Sequence, residues 1–390
     1  MARILTFLGK GGTGRSTIAI AAAKQFAAKG SRVLFASSDC SPALSIELGS
    51  PVGPEPELIA SNLHAVQLVI STLLEQGWEE IKKLEAKYIR TPFLKAVYGQ
   101  ELGVVPGMEG ALTLNALRNY DKSGDYDVII YDGTGDLNTL RMIGAPEIGG
   151  WYLRRFRQVL ADSDVGKTLS PFVQPVTSAV LNVDWSGDNF GQPPQEITEI
   201  MDKWRETMAD PNRVVAYLVT TGNPAAIATA RYLWGSAQQV GLLVGGLILN
   251  EALVVDTFAA ELAPNLQELY ATYQREANIN EKVSTEFAPL PVTTLPWRTG
   301  NDWEPLIKAL PDFSKPVSVP KPITINVSER SVSLFLPGFD KKQVKLTQYG
   351  PEVTIEAGDQ RRNIFLPTEL RGRPVKGAKF QNQYLIISFG

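Results

Sequence analysis

The chain has 390 residues and carries 38 Lys and Arg against 41 Asp and Glu, a net charge of −3. This length predicts two or more domains with filled cores, and the near-neutral charge gives no bias toward nucleic acid as a partner. No apolar run is long enough to cross a bilayer, so stable membrane insertion is not expected. A single cysteine, Cys40, excludes internal disulfides and Cys-based zinc clusters within one chain. Because the N-terminus leads directly into a predicted strand, no signal peptide is predicted and a cytoplasmic location is expected.

A glycine-rich loop joins the first predicted strand to the first predicted helix. Residues 2–8 are a short apolar run typical of a strand, and the alanine-rich residues 17–29 are typical of a helix. Between them, residues 9–16 have the P-loop spacing GxxxxG[K][ST], with Arg15 at the usual lysine position. The backbone N–H groups of such a loop and the following helix N-terminus hold phosphate. The alternative, a glycine-rich turn that binds nothing, is disfavoured by the order of strand, loop and helix.

Two later strands end in acidic residues. The second predicted strand, residues 32–38, leads into Asp39. Since ligands bind at the carboxyl ends of parallel strands, Asp39 is a candidate for chemistry, and the alternative is a turn or helix-capping carboxylate. Residues 126–132 are a mostly apolar strand ending in Asp132, the Walker B arrangement. There the carboxylate orients the water shell of a nucleotide-bound magnesium ion.

Two stretches between the strands are predicted to be largely helical. In residues 55–120 the exception is a strand-like run containing His64, the only histidine, which we interpret as structural. Residues 141–212 are predicted to contain two amphipathic helices separated by a Pro- and Gly-rich loop at 182–194. Their apolar faces favour core packing, and a client-binding surface is the alternative. The residues at helical spacing in the first stretch are Trp78, Ile81, Leu84 and Tyr88. Those of the two amphipathic helices are Tyr152, Phe156, Val159 and Leu160, and Ile197, Ile200, Met201, Trp204 and Met208.

Strands and helices then alternate up to residue 312. Three further strands are predicted at residues 213–221, 242–250 and 288–295, with a helix between the last two. Together with the P-loop, this order predicts an α/β fold with a doubly wound, mostly parallel sheet and a helical insertion.

A second domain is predicted after a proline-rich linker. Residues 313–322 contain three prolines, typical of a stiff connection. Residues 323–390 alternate with a period of two in six short runs, which predicts a small all-β sandwich. Residues 313–390 carry a net charge of +6 and the remainder −9, which supports a boundary between domain 1–312 and the sandwich.

Several motifs resemble those of the signature-lysine ATPases, the family that includes MinD and ArsA. The stretch KGGTGRST at residues 10–17 is similar to the deviant Walker A sequence KGGxGKST. Residues 37–39, SSD, resemble the start of the switch I sequence STDPAH, and residues 132–141, DGTGDLNTLR, resemble the switch II sequence DTAPTGHTLR. Residues 249–250 resemble the adenine-reading VVNQ segment, and residues 105–109, VPGME, resemble PGxxE.

The resemblance covers roughly residues 1–312 and points to ArsA and the guided-entry (Get pathway) ATPases that target tail-anchored membrane proteins. The C-terminal part resembles the α-crystallin domain of small heat-shock proteins. Its similar stretches are LPGFDKKQVKL at residues 336–346, IFLP at 364–367 and GAKFQNQYLII at 377–387. The combination is similar to ArsA-like proteins with a fused α-crystallin domain in cyanobacteria and plastids.

The resemblance implies a homodimer that closes on ATP, with ATP or ADP and Mg²⁺ as cofactors. The implied catalytic residues are Lys10, which would reach the partner's phosphates, Arg15, and Asp39, which would position the attacking water. Ser16 and Asp132 would hold the magnesium ion. The implied nucleotide-binding residues are Gly9, Lys10, Gly11, Gly12, Thr13, Gly14, Arg15, Ser16, Thr17 and Asn250, of which Asn250 would bind the adenine.

The chain also departs from these motifs, which leaves two functions open. Arg15 replaces the P-loop lysine, residues 39–42 read DCSP, and the second switch lacks its Pro and His. The first hypothesis is an ATP-hydrolysing targeting factor or chaperone for hydrophobic membrane-protein segments. The alternative is a nucleotide-binding chaperone or scaffold with little turnover. A metalloid-pump ATPase is less favoured because the metalloid-binding cysteines are absent, and a MinD-like positioning ATPase because the C-terminus is β-patterned.

Overall fold

The computed structural model describes residues 1–77, 108–148, 203–204, 206–208, 210–250, 280–296, 298, 300, 302–316 and 318–390. The chain forms two compact units. One comprises Met1–Gln67, Asp121–Arg141 and Met208–Gly390, and the other comprises Leu68–Tyr120 and Met142–Thr207. Among the described residues, no helix has the length and hydropathy needed to cross a bilayer.

The first unit is built on an eight-stranded sheet. Its strands are β1 (Arg3–Leu8), β2 (Val33–Ser37), β3 (Glu57–Ala60), β4 (Leu63–Gln67), β5 (Val128–Asp132), β6 (Val214–Thr220), β7 (Val244–Leu249) and β8 (Val292–Thr294). The order is β3-β4-β2-β5-β1-β6-β7-β8, and every neighbouring pair is parallel except β3 and β4. Strands β2, β5, β6 and β7 are buried along their whole length, as in a parallel sheet covered on both faces. The predicted mostly parallel α/β sheet is confirmed.

Five helices have defined bounds in the described chain: α1 (Arg15–Ala28), α2 (Ala43–Leu48), α3 (Met108–Ser123), α4 (Pro224–Gln239) and α5 (Glu304–Ala309). Residues 70–77, 137–148 and 280–286 are also helical. Nine of the 14 residues of α1 are buried, and most of them are alanines. Small side chains let this helix lie close to the sheet, which fixes the glycine-rich loop at its N-terminus.

The prediction of a largely helical stretch at residues 55–120 is wrong for residues 57–60, which form β3. This strand pairs antiparallel with β4 at the edge of the sheet, and four mostly exposed residues are too few to show a periodicity. The strand predicted around His64 is confirmed as β4, and the imidazole packs edge-on against the Tyr126 ring at 5.6 Å. That contact supports a structural role for His64.

Other sequence predictions fall wholly or partly outside the described residues. They are the helical stripe from Trp78 to Tyr88, residues 105–107 of the VPGME stretch, the helix carrying Tyr152, the loop at 182–194, the residues Ile197 to Met201, and the helix between the last two strands. Residues 203–204 and 206–208, from the second amphipathic helix, are helical. Within the second unit, the Trp204 indole donates a hydrogen bond to the Ile143 carbonyl at 3.2 Å.

The C-terminal part of the first unit is all-β, as predicted. Its strands are β9 (Ile323–Asn326), β10 (Ser331–Phe335), β11 (Val344–Tyr349), β12 (Glu352–Ala357), β13 (Gln360–Phe365), β14 (Val375–Gln381) and β15 (Tyr384–Phe389). They form a four-stranded sheet, β14-β15-β10-β9, and a three-stranded sheet, β11-β12-β13, both antiparallel. Alternate residues of both sheets share one buried core, among them Val332, Leu334, Val353, Ile355, Ile364 and Ile387. We call this part the β sandwich.

The segment leading to the β sandwich begins inside the α/β core. Phe313, the first residue of the predicted linker, is fully buried. Its ring packs edge-on against Tyr217 at 4.7 Å and against Phe7 at 6.0 Å. The chain therefore leaves the α/β core only after this residue.

Candidate functional site

The loop between β1 and α1 is shaped by glycines at the carboxyl edge of the sheet. Gly12 and Gly14 have φ values of +82° and +86°, in the left-handed region that favours glycine. Gly9 lies so close to the Val219 carbonyl of β6 that a Cβ there would overlap it. Gly14 is the N-cap of α1, and no side chain caps the helix. The free N–H groups of its first turn therefore form a cradle suited to an anion such as phosphate.

Hydrogen bonds from neighbouring segments hold this loop in shape. The Thr13 hydroxyl donates to the Lys10 carbonyl at 2.8 Å, and the Gly9 N–H donates to the Gly135 carbonyl at 2.9 Å. From the end of β7, the Asn250 side-chain amide donates to the Thr13 carbonyl at 2.9 Å. The loop is thus organised by protein contacts alone, which reduces the entropy cost of binding a ligand there.

Asp132 lies at the centre of the site with two serine hydroxyls on its carboxylate. Ser16, in the first turn of α1, donates to Oδ1 at 3.2 Å, and Ser37, at the end of β2, donates to Oδ2 at 3.3 Å. Asp132 is only 5% exposed. Burial raises the pKa of Asp132, while the two serines and the nearby Arg15 guanidinium oppose this rise. The structure therefore brings together Ser16 and Asp132, the two residues predicted to hold magnesium.

Arg15 sits beside this carboxylate and carries an unsatisfied donor. Its guanidinium lies against Gly135, where a Cβ would overlap Nη1. Nη1 is buried and finds no hydrogen-bond acceptor in the described part of the chain. Burial lowers the pKa of Arg15, and the carboxylates of Asp132 and Asp136 oppose this effect. A buried N–H without an acceptor is costly, and a phosphate oxygen would satisfy it, so the residues present fit a phosphate ligand.

Asp39 is linked to Asp132 through the Ser37 hydroxyl. The Asp39 N–H donates to Ser37 Oγ at 3.1 Å, and the Asp39 carboxylate, which is exposed, accepts the Ser41 N–H at 2.8 Å. Gln67, at the end of β4, donates to the Asp39 carbonyl at 3.2 Å. The bond from Ser41 is that of a turn carboxylate, so this geometry accommodates both sequence interpretations of Asp39.

The other predicted site residues lie around this centre. Lys10 is exposed, and Thr17 is half-buried in the first turn of α1. Asn250 is only 5% exposed. The contact that its amide nitrogen makes is with the loop, at Thr13, and its predicted role toward an adenine stays a prediction.

Three residues that the sequence reasoning missed connect the parts of the site. Ser37 joins the Asp132 carboxylate to the Asp39 backbone, and Thr139 Oγ accepts the Gly135 N–H at 2.9 Å. Asp136 accepts the Asn138 N–H at 2.8 Å at the start of the helical residues 137–148. Ser37 carried a detectable signal, because it is a hydroxyl at the end of an otherwise apolar strand. Thr139 lies in the stretch that resembles switch II, but its bond to Gly135 could not be read from the sequence because the turn at Gly135 creates it.

This arrangement has the parts needed for phosphoryl transfer. The N–H groups of the loop can hold an anion, and the Arg15 guanidinium lies beside the Asp132 carboxylate. This buried carboxylate, with the Ser16 hydroxyl bonded to it, suits a hydrated divalent cation. The exposed Asp39 carboxylate follows the neighbouring strand, β2. Phosphoryl transfer depends mainly on positioning and charge neutralisation, so these groups are sufficient in kind.

Comparisons with known families agree with this chemistry. The family model of ArsA ATPases, described as anion-transporting ATPase, matches residues 2–301. A second model, described as the HSP20-like domain found in ArsA, matches residues 328–389.

Relatives with curated sequences match over most or part of the chain. A protein of Chlorobaculum tepidum named “Putative arsenical pump-driving ATPase” is 25% identical over 405 residues, covering 99% of this chain and 96% of the relative. Protein Rv2184c of Mycobacterium tuberculosis is 25% identical over 423 residues, covering 100% of this chain and 96% of the relative. The protein named ATPase GET3 of Malassezia globosa is 28% identical over 173 residues, covering 44% and 48%.

Proposed function

Because the chain belongs to the ArsA family of ATPases and carries that family's HSP20-like domain, we propose that it binds and hydrolyses ATP in a magnesium-dependent cycle. The observation that carries this proposal is the buried Asp132 carboxylate, bonded by Ser16 from the glycine-rich loop and by Ser37 from the neighbouring strand. A buried carboxylate with a hydroxyl on each side, at the carboxyl end of a parallel strand, supports the proposal because it suits a nucleotide's hydrated metal ion.

The nucleotide phosphates would be held by the loop from Gly9 to Thr17. Its backbone N–H groups, the first turn of α1 and the Arg15 guanidinium supply the donors. Ser16 would bind the magnesium ion and Asp132 would order its water shell. When bound, the ion neutralises charge that develops on the phosphoryl oxygens.

Asp39 would accept a hydrogen bond from the attacking water and orient it. Its exposed carboxylate follows β2, and its backbone is tied to Ser37. Lys10, which is exposed on the loop, would contribute to the phosphates of a second copy in a homodimer. In that arrangement nucleotide binding and dimer closure are coupled.

The cycle would serve hydrophobic segments of membrane proteins as clients. This part of the proposal rests on the similarity of the site motifs to guided-entry ATPases, on the relative named ATPase GET3, and on the amphipathic pattern predicted for residues 141–212. An apolar surface that opens and closes with nucleotide would shield such segments from water.

The second candidate is a nucleotide-binding scaffold with little turnover. The specific observation in its favour is Arg15, which stands at the position of the motif's P-loop lysine. Its guanidinium lies against Gly135. A guanidinium is planar and a lysine ammonium is a point charge, so the replacement changes the geometry available for phosphoryl transfer and bears on turnover more than on binding. Phosphate release by the purified protein separates the two candidates, because the scaffold predicts nucleotide binding with no release.

Client binding is tested with a fluorescent transmembrane peptide and the full chain. We expect a complex whose affinity differs at least several-fold between ATP, ADP and the nucleotide-free protein. A polar peptide of equal length is the control. Absence of binding in every nucleotide state would refute the client role and leave the ATPase proposal standing.

A further inference from the structure

The β sandwich contacts the second switch segment through one ion pair. Arg141 ends the segment Asp132–Arg141 that resembles switch II, and Asp359 lies in the turn between β12 and β13. The Arg141 guanidinium donates to the Asp359 carboxylate, although 218 residues separate the two in sequence. Both side chains are 53% exposed, so the pair is accessible to solvent.

The backbone of Asp359 is fixed by helix α4. Its N–H donates to the Tyr232 hydroxyl at 2.9 Å. The preceding Gly358 has φ +59°, and a Cβ there would lie 2.6 Å from the Tyr232 hydroxyl and 2.9 Å from the Phe339 ring. The turn therefore approaches α4 closely, and only a glycine allows this approach. The Asp359 backbone is consequently held at a defined place, with its carboxylate paired to Arg141.

The rest of the sandwich also packs on α4. Gly235 of the helix lies against the Pro337 carbonyl and the Phe339 ring, with no room for a Cβ. The Arg362 guanidinium donates to the Gln238 carbonyl at 2.8 Å. The buried Trp234 ring packs edge-on against Phe335 at 5.5 Å. These contacts fix the sandwich on the α/β part of the first unit, so the linker is not its only attachment.

Two positions along the backbone and then two hydrogen bonds connect Arg141 to the glycine-rich loop. Arg141 lies in the helical residues 137–148, two positions after Thr139. Thr139 Oγ accepts the Gly135 N–H at 2.9 Å, and the Gly135 carbonyl accepts the Gly9 N–H at 2.9 Å. A displacement of Arg141 thus affects the turn at Gly135, against which the Arg15 guanidinium lies.

We propose that Asp359 is a positioning residue for the second switch, acting from the β sandwich through Arg141. It holds the segment Asp132–Arg141 in the conformation seen here and so influences the conformation of the nucleotide site that the segment borders. If docking of the turn at Asp359 changes the affinity for nucleotide, then by linkage nucleotide binding changes the free energy of that docking by the same amount. The inference rests on the proposed nucleotide-binding function for its consequences, but its structural core is testable without nucleotide.

The test compares Asp359→Asn and Arg141→Gln with a matched control in the full-length protein. The control is Asp127→Asn, which breaks the exposed Arg32–Asp127 pair, with side chains 53% and 47% exposed, at the opposite end of β5. Hydrogen–deuterium exchange is measured first without nucleotide. We expect faster exchange of the amides of residues 135–141 in both switch variants, by about two- to fivefold, the range for a surface ion pair. The control should leave these amides unchanged.

The second measurement uses the charge-swapped pair Arg141→Asp with Asp359→Arg. We expect each single reversal to change the affinity for a fluorescent ADP analogue and the kcat of phosphate release, and the double variant to return both toward the wild type. A merely structural contact would change stability without this rescue of kcat. Unchanged exchange at residues 135–141 in Asp359→Asn would overturn the inference. Absence of nucleotide binding by the wild type would instead refute the proposed function.

Discussion

The Ser37 hydroxyl donates a hydrogen bond to the Asp132 carboxylate and accepts one from the Asp39 N–H, at 3.3 Å and 3.1 Å. Ser37 and Asp132 are also partners in the register of the parallel strands β2 and β5. One buried hydroxyl thus joins the carboxylate proposed for the metal ion to the segment proposed to orient water. The Ser37 hydroxyl therefore connects the two sides of the site, in addition to the backbone bond from the Ser38 N–H to the Asp132 carbonyl at 2.9 Å.

Replacing Ser37 should therefore impair turnover more than nucleotide binding. In Ser37→Ala the Asp132 carboxylate loses a donor and the Asp39 N–H loses its acceptor, so the Asp39 segment is less well positioned. We expect phosphate release to fall about tenfold, the effect of losing a hydrogen bond to a charged group. The affinity for ADP should change less than threefold. Ser38→Ala is the matched control, because the Ser38 hydroxyl contacts the Tyr131 hydroxyl and not the carboxylate. Equal losses in both variants would contradict the role of Ser37.

The charge of Arg15 should matter more for binding than its shape. Removing the guanidinium in Arg15→Ala deletes a charge-assisted donor to phosphate, and we expect ATP affinity to fall about tenfold or more. Arg15→Lys keeps the charge, so its affinity should stay within about threefold of the wild type. Titration with a fluorescent ATP analogue measures both. If Arg15→Ala binds as tightly as the wild type, the guanidinium does not contact the phosphates.

The close approach of the sandwich to α4 should make Gly235 sensitive to any side chain. A Cβ at Gly235 overlaps the Pro337 carbonyl and the Phe339 ring. Gly235→Ala should lower the free energy of unfolding by about 1–3 kcal/mol, as overpacking does. Gly377→Ala in β14 is the control, since no atom lies within 4 Å of a Cβ there. Urea denaturation measures both variants, and equal midpoints would contradict the tight packing.

The buried Tyr217 should make the protein lose stability at alkaline pH. Burial raises the pKa of Tyr217 to about 12, whereas an unperturbed tyrosine has a pKa of 10. The folded state therefore keeps the phenol neutral while the unfolded chain ionises, so stability is complete below pH 10 and falls as the pH rises toward 12. The loss should approach about 3 kcal/mol. Tyr217→Phe should show a smaller decline between pH 10 and pH 12 in thermal unfolding. Parallel curves for the two proteins would contradict the raised pKa.

The α/β fold was predictable because its signals are local. Strand β5 is a continuous buried run that ends in Asp132, and the glycines of residues 9–14 mark the loop by their spacing. Short or tertiary features gave no such signal. Strand β3 has four residues at a sheet edge, and Thr139 has a role only because the turn at Gly135 presents an N–H to it.

The packing of the β sandwich on α4 likewise could not be predicted from the sequence. Gly235 and Gly358 could be recognised as glycines, but Gly235 approaches Pro337 and Gly358 approaches Tyr232, each more than 100 residues away along the chain. The proline-rich stretch predicted a linker and a second domain, but it gave no information on how that domain packs. The structure places Phe313 in the α/β core and Asp359 beside the second switch segment.

Magnesium-dependent phosphate release tests the central claim most directly. We predict that the wild type releases phosphate from ATP with Mg²⁺ and not with a chelator. Asp132→Asn should need far more Mg²⁺, and Asp39→Asn should bind ATP with almost no release. The Asp127→Asn variant, changed at the other end of β5, should behave as the wild type. Release that is independent of Mg²⁺, or equal in Asp39→Asn and the wild type, would contradict the account.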